Sequence, residues 1–81
     1  MRKQFVGEAQ CLASQARYYL LADVSEEGES FGVQIEMEEE TAAVPDLSPS
    51  RQRVLELAEA LVRGGVTPVA LRDVVDDWLL E

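Results

Sequence analysis

Hydrophobic residues repeat every second position in the first half of this chain and at helical spacing in the second, with the changeover beside Pro45 and Pro49. Phe31, Val33, Ile35 and Met37 alternate with Gly32, Gln34, Glu36 and Glu38, the pattern of a strand with one apolar and one polar face. Tyr18, Leu20, Ala22 and Val24 alternate in the same way with Tyr19, Leu21 and Asp23. Ser25-Glu26-Glu27-Gly28-Glu29 between them suits an antiparallel connection. A weaker strand is expected around Phe5–Cys11, and Thr41–Val44, stopped by Pro45, is expected to add an edge. A helix competes for part of this region, because Ala9, Leu12, Ala13, Ala16 and Leu20 also share one helical face. The Tyr18-Tyr19 pair and the need to pair the strand around Phe31 on both sides favour strands.

Past the changeover, Ser48 and Pro49 read as an N-cap followed by a proline at the first helical position, and Gly64-Gly65 as a C-terminal stop. Val54, Leu55, Leu57, Ala58, Leu61 and Val62 cover roughly 160° of that helix at 100° per residue, so more than one neighbour must bury it. Thr67-Pro68 repeats the start signal, with Val66 placed to pack on Leu71. Leu71, Val74, Val75, Trp78 and Leu79 then form the apolar stripe of a second helix, which makes Trp78 a core residue. The short Gly64–Thr67 link turns the two helices into a hairpin. The fold expected is α+β, a three- to four-stranded antiparallel β-meander followed by a C-terminal αα-hairpin packed on one face. It forms a single domain over 1–81, with strands within about 3–44 and helices at about 49–63 and 68–80.

Ala43-Val44-Pro45-Asp46-Leu47-Ser48-Pro49 and Val66-Thr67-Pro68-Val69-Ala70-Leu71-Arg72-Asp73-Val74-Val75-Asp76-Asp77-Trp78-Leu79 resemble the corresponding segments of a family of small uncharacterised proteins of anaerobic Gram-positive bacteria, a domain of unknown function. The resemblance spans most of the chain and is weakest over the first ten or so residues. It implies the same architecture, supports strands around Tyr18 and Tyr19, and implies a cytoplasmic location. It brings no activity, cofactor or catalytic residue.

Composition narrows the chemistry. The 81 residues carry 16 acids, 7 bases and no histidine, for a net charge of −9, while 47% hydrophobic content is too high for a disordered acidic tail. Residues 26–46 hold eight acids and no base, a local −8 that would repel phosphate. Nucleic acid is therefore not an expected partner, and Asp73, Asp76 and Asp77 speak against the second helix as a DNA-recognition helix. Without histidine the commonest general base and zinc ligand is missing. Glu36, Glu38, Glu39 and Glu40 line up along a strand instead of wrapping an ion, so no metal or other cofactor is expected. Cys11 has no second cysteine to pair with and reads as a buried thiol in a reducing, cytoplasmic setting. No apolar run reaches the length of a membrane span, so no membrane partner is expected.

Two surfaces stand out as candidates for contact with a protein partner or a second copy. If Tyr18, Leu20, Ala22 and Val24 face the helices, Tyr19 and Leu21 face outward, and Val6, out of phase with Phe5, is expected beside them. Asp73, Asp76 and Asp77 sit where negative charge opposes the helix macrodipole, which suits a basic docking partner. The expected function is a non-enzymatic interaction or adaptor module, with homodimerisation open to it. The alternative is a small enzyme or ligand-binding protein using carboxylates in a pocket between sheet and hairpin.

Overall fold

The computed structural model describes residues 1–11 and 14–80. Four antiparallel strands, β1 (Arg2–Cys11), β2 (Ser14–Ser25), β3 (Gly28–Glu36) and β4 (Thr41–Ser48), form one open sheet in sequential order. Helix α1 (Arg51–Gly64) crosses its inner face. A 3-10 turn (Pro68–Ala70) leads directly into α2 (Leu71–Leu79). This is the α+β meander and helical hairpin expected. The strand reading prevails from Glu8 to Ala22, where β1 and β2 pair from Arg2↔Ala22 to Cys11↔Ser14. Leu12 and Ala13, part of the helical alternative, lie outside the described residues. No described helix is long and apolar enough to cross a membrane.

The inner face supplies Ala16, Tyr18, Leu20, Phe31, Val33 and Ile35 to the core, against Val54, Leu57, Ala58 and Leu61 of α1 and Leu71 and Val75 of α2. Alternation on β2 and β3 therefore does what period two dictates, and the 3.6-residue stripe of α1 lies on it. The helix ends where its carbonyls are met in a Schellman motif, with Gly65 N–H donating to Val62 O and Val66 N–H to Leu61 O, both at 3.1 Å. Gly65 has φ 58°, the left-handed conformation that glycine adopts without a Cβ penalty.

Several expectations need correction. The N-cap of α1 is Ser50, whose hydroxyl accepts the Arg53 N–H at 3.3 Å, and helix begins at Arg51; Ser48 instead accepts the Ser50 N–H at 3.1 Å. Pro49 thus precedes the cap. Strand β4 does not stop at Pro45 but continues to Ser48, because the proline falls in an irregularity of the edge strand. Between the pairs Phe31↔Ser48 and Val33↔Val44, one residue of β3 faces three of β4. Asp46 takes φ 56° there and accepts the Ser30 hydroxyl. Trp78 is half-buried at the margin of the core, with the Arg53 guanidinium 5.0 Å from its ring centroid, and Leu79 is exposed.

Candidate functional site

The outer face of the sheet carries Lys3 and Phe5 on β1, Tyr19 and Leu21 on β2, and Gly32, Gln34 and Glu36 on β3, in the registers Phe5↔Tyr19↔Gln34 and Lys3↔Leu21↔Gly32. Val6 is not among them. The β1 register slips between Phe5 and Gly7, which leaves Phe5 outside and turns Val6 inward to pack on the core. The expectation for Val6 fails because a bulge resets strand phase, and two residues of β1 share one place in the ladder. Phe5 takes the outer position at 53% exposed and meets Tyr19 edge to face, ring centroids 5.8 Å apart.

Tyr19 and Leu21 do face outward, yet the chain covers much of both. The Lys3 ammonium lies 4.5 Å from the Tyr19 ring centroid and reaches across it to Glu36 Oε2 at 2.7 Å, where the Gln34 amide also donates. Leu21 is only 4% exposed. Its partner Gly32 explains part of this, since a Cβ there would lie 2.2 Å from Val44 O and 2.6 Å from Pro45 Cα. The irregular stretch of β4 therefore closes over the outer side of the sheet beside Leu21. The Lys3 hydrogen bond holds the Glu36 carboxyl below its ordinary range, and Glu36 in turn raises Lys3. A lowered carboxyl suits an ion pair and not a general acid at neutral pH.

The acidic end of the hairpin is different. Asp73, Asp76 and Asp77 are all exposed, and none joins an ion pair among the described residues. Arg72, at i, i+4 spacing from Asp76, makes no bridge to it. The expectation that all three oppose the macrodipole fails for Asp73, which falls in the first turn because α2 begins at Leu71 after the 3-10 turn. Asp76 and Asp77 do lie in the last turn, which has no base to offset them. Val69 before the helix and Leu80 after it are 77% and 85% exposed. At 100° per residue Asp73, Asp76, Asp77 and Leu80 share an arc of about 100°, so acids and an apolar side chain point the same way. The structure thus separates the six candidate residues into three settings: Val6 in the core margin, Tyr19 and Leu21 under a self-made cover, and the three aspartates in open solvent.

Two grooves lie at the β2–β3 end of the sheet. One, of 660 Å³, opens between the sheet and the start of α1 and is lined by Arg2, Gln4, Ala22, Phe31 and Arg51 among others, with Glu29 its one carboxylate. That lining is the reverse of a carboxylate-based active site. The other, of 460 Å³, lies at the β2–β3 turn and gathers Asp23, Glu27, Glu29 and Asp46. No three metal-ligating side chains converge among the described residues. Buried beneath the helix link, the Tyr18 hydroxyl donates to Val66 O at 2.8 Å and Cys11 Sγ to Gly65 O at 3.3 Å. Burial, with the neighbouring Cys11, pushes the Tyr18 phenol well above its ordinary value. These two side chains tie the Schellman turn to the sheet, a structural task that accounts for both.

A family model described as a family of unknown function, DUF6514, matches residues 2–81. No curated protein and no solved structure gives a match.

Proposed function

The chain belongs to this family of unknown function, DUF6514, over nearly its whole length, and we propose that it is a non-catalytic interaction module whose α2 surface docks a basic segment of another protein. The observation that carries the reading is the exposed trio Asp73, Asp76 and Asp77 on one arc of α2, none of them in an ion pair among the described residues, with Asp76 and Asp77 in the last turn and exposed Val69 and Leu80 at the border. In the last turn the uncompensated Asp76 and Asp77 cost about a few tenths of a kcal/mol each in local stability, so a benefit elsewhere is the natural account of them. Mixed acidic and apolar groups on one helical arc fit a partner segment that alternates Lys or Arg with apolar residues.

A second copy fits this surface poorly, since two such faces would oppose acid to acid. The outer sheet face, the other route to self-association, is largely covered by Lys3, Glu36 and the β4 irregularity, with Phe5 the large side chain left open. Selection of a randomised peptide library against the immobilised protein tests the proposal. Enrichment of basic amphipathic sequences that no longer bind an Asp73→Lys/Asp76→Lys/Asp77→Lys variant is the expected result. An absence of enrichment, or enrichment indifferent to those substitutions, overturns it.

A further inference from the structure

The sheet is longer than the helix laid on it. At about 3.3 Å per residue the 12 residues of β2 run about 40 Å, whereas the 14 residues of α1 span about 21 Å at 1.5 Å per residue. Helix α1 ends over Cys11, where Gly65 comes within reach of its sulfur, and begins beside Gln4, whose side-chain oxygen accepts from Arg51 at 2.9 Å. The part of the inner face nearest the β2–β3 turn therefore has no helix over it. The 660 Å³ groove occupies this gap, its apolar floor made by half-buried Ala22 and the outermost edge of the core at Phe31 and Leu20, which are 6% and 1% exposed, with Pro49 among its lining.

The charge around the groove runs against that of the chain. Arg2 approaches from the edge strand and Arg51 from the start of α1, in a molecule of net charge −9. Lys3 also lines the groove, but its ammonium is committed to Glu36 on the other face. Arg51 and Arg53 stand in the first turn of α1, where no acid is present, although a helix start favours negative charge. The Gln4 contact orients Arg51 without neutralising it. Arg2 has only a loose, exposed pairing with Glu29 at 4.0 Å. Two guanidiniums with a weakly held counter-charge, above an apolar floor, make a receptor for a carboxylate that can accept their paired N–H donors.

We propose that this groove binds a small amphiphilic monocarboxylate, its apolar body against Ala22, Pro49 and the edge of Phe31 and its carboxylate between Arg2 and Arg51. A single charge fits better than a polyanion, because Glu29 and the acidic groove beside it repel any further negative group. The volume is that of a site for a drug-sized molecule, within about 300–1,000 Å³. The site is separate from the α2 surface and stands or falls independently of it.

Octanoate, octanol and octylamine, each titrated below its aggregation limit into the isotopically labelled wild-type chain, form the test. Octanoate should shift the backbone amides of Arg2, Gln4, Ala22, Phe31 and Arg51 saturably, with octanol and octylamine about tenfold weaker or more. Glu29→Gln should tighten octanoate binding, and Arg2→Gln/Arg51→Gln should weaken it about tenfold with thermal unfolding unchanged. Equal responses to octanoate and octanol would reduce the groove to a greasy surface and overturn the proposal, as would shifts confined to other residues or none at all. Binding of an extended acidic peptide in the groove with octanoate silent would overturn it too, assigning the arginines to a protein partner.

Discussion

Tyr18 is the residue on which the two layers most depend, because it is a full core side chain whose hydroxyl also meets a carbonyl in the link between the helices. Tyr18→Phe keeps the packing but strands Val66 O and alters the surroundings of Cys11, so chemical denaturation should show a loss of about 1–2 kcal/mol. Its titration has a definite sign. The folded phenol holds its proton above the ordinary value of 10.0, so its contribution to stability is present below that pH and is lost as pH rises through the folded value. Denaturation midpoints should therefore fall in the alkaline range, and less steeply in Tyr18→Phe. Glu36 works in the opposite sense: its lowered carboxyl contributes above the ordinary carboxylate value and ceases to as pH falls through the folded value. Gly32 is constrained for another reason. A methyl group there meets backbone atoms of Val44 and Pro45, which cannot rotate away, so Gly32→Ala should cost at least about 2 kcal/mol by the same measurement.

Among the elements, α1 offers a clear choice between two serines. Ser50→Ala removes the hydroxyl that caps the Arg53 N–H and should cost about 1 kcal/mol, while Ser48→Ala, outside the helix, should cost less than half of that. Equal costs in thermal unfolding would return the cap to Ser48. This ambiguity shows what the sequence carries and what it does not. Ser48-Pro49-Ser50 contains two good caps, and proline is tolerated both just before a cap and just after it, so residue type alone could not place the helix start. The strands of β2 and β3 were legible because alternation is a direct image of a two-faced sheet. The bulge at Val6 was not, since an extra residue in a ladder leaves no hydropathy signal beyond the neighbouring Gly7. Leu21 read as exposed for a related reason: its cover comes from β4, remote in sequence, crossing at Gly32. Trp78 was placed on the correct stripe, but a stripe gives direction and not depth. Half-buried beside Arg53, it should cost about 2–3 kcal/mol on Trp78→Ala, less than a central core aromatic. Asp76 and Asp77 were legible because charge in the last turn of a helix is visible from spacing, whereas Asp73 falls in the first turn because the 3-10 turn at Pro68–Ala70 delays the start of α2. The 660 Å³ groove arises where β2 outruns α1, a mismatch of lengths that leaves no hydropathy signal.

At the level of the whole molecule, charge and shape are separable. The chain is flat and long, 42 × 26 × 17 Å, and its acids are spread over the β2–β3 turn, the Glu38–Glu40 loop and α2. Any basic ligand will feel the total field, so docking at α2 requires that this helix matter beyond its share of −9. Two variants with the same change in net charge make that distinction: Asp73→Lys/Asp76→Lys/Asp77→Lys on the helix and Glu38→Lys/Glu39→Lys/Glu40→Lys in the exposed loop. The helix variant should be about as stable as the wild type, since bases at positions 76 and 77 suit the macrodipole while one at position 73, in the first turn, opposes it. The decisive measurement is fluorescence anisotropy of one basic amphipathic peptide from the library selection, titrated with the wild type and both variants at physiological salt, where the field of distant charges is screened within about 8 Å. The loop variant should bind within about threefold of the wild type, and the helix variant should lose at least about thirtyfold. Equal losses in the two variants would contradict docking at α2, leaving that helix as one acidic surface among several.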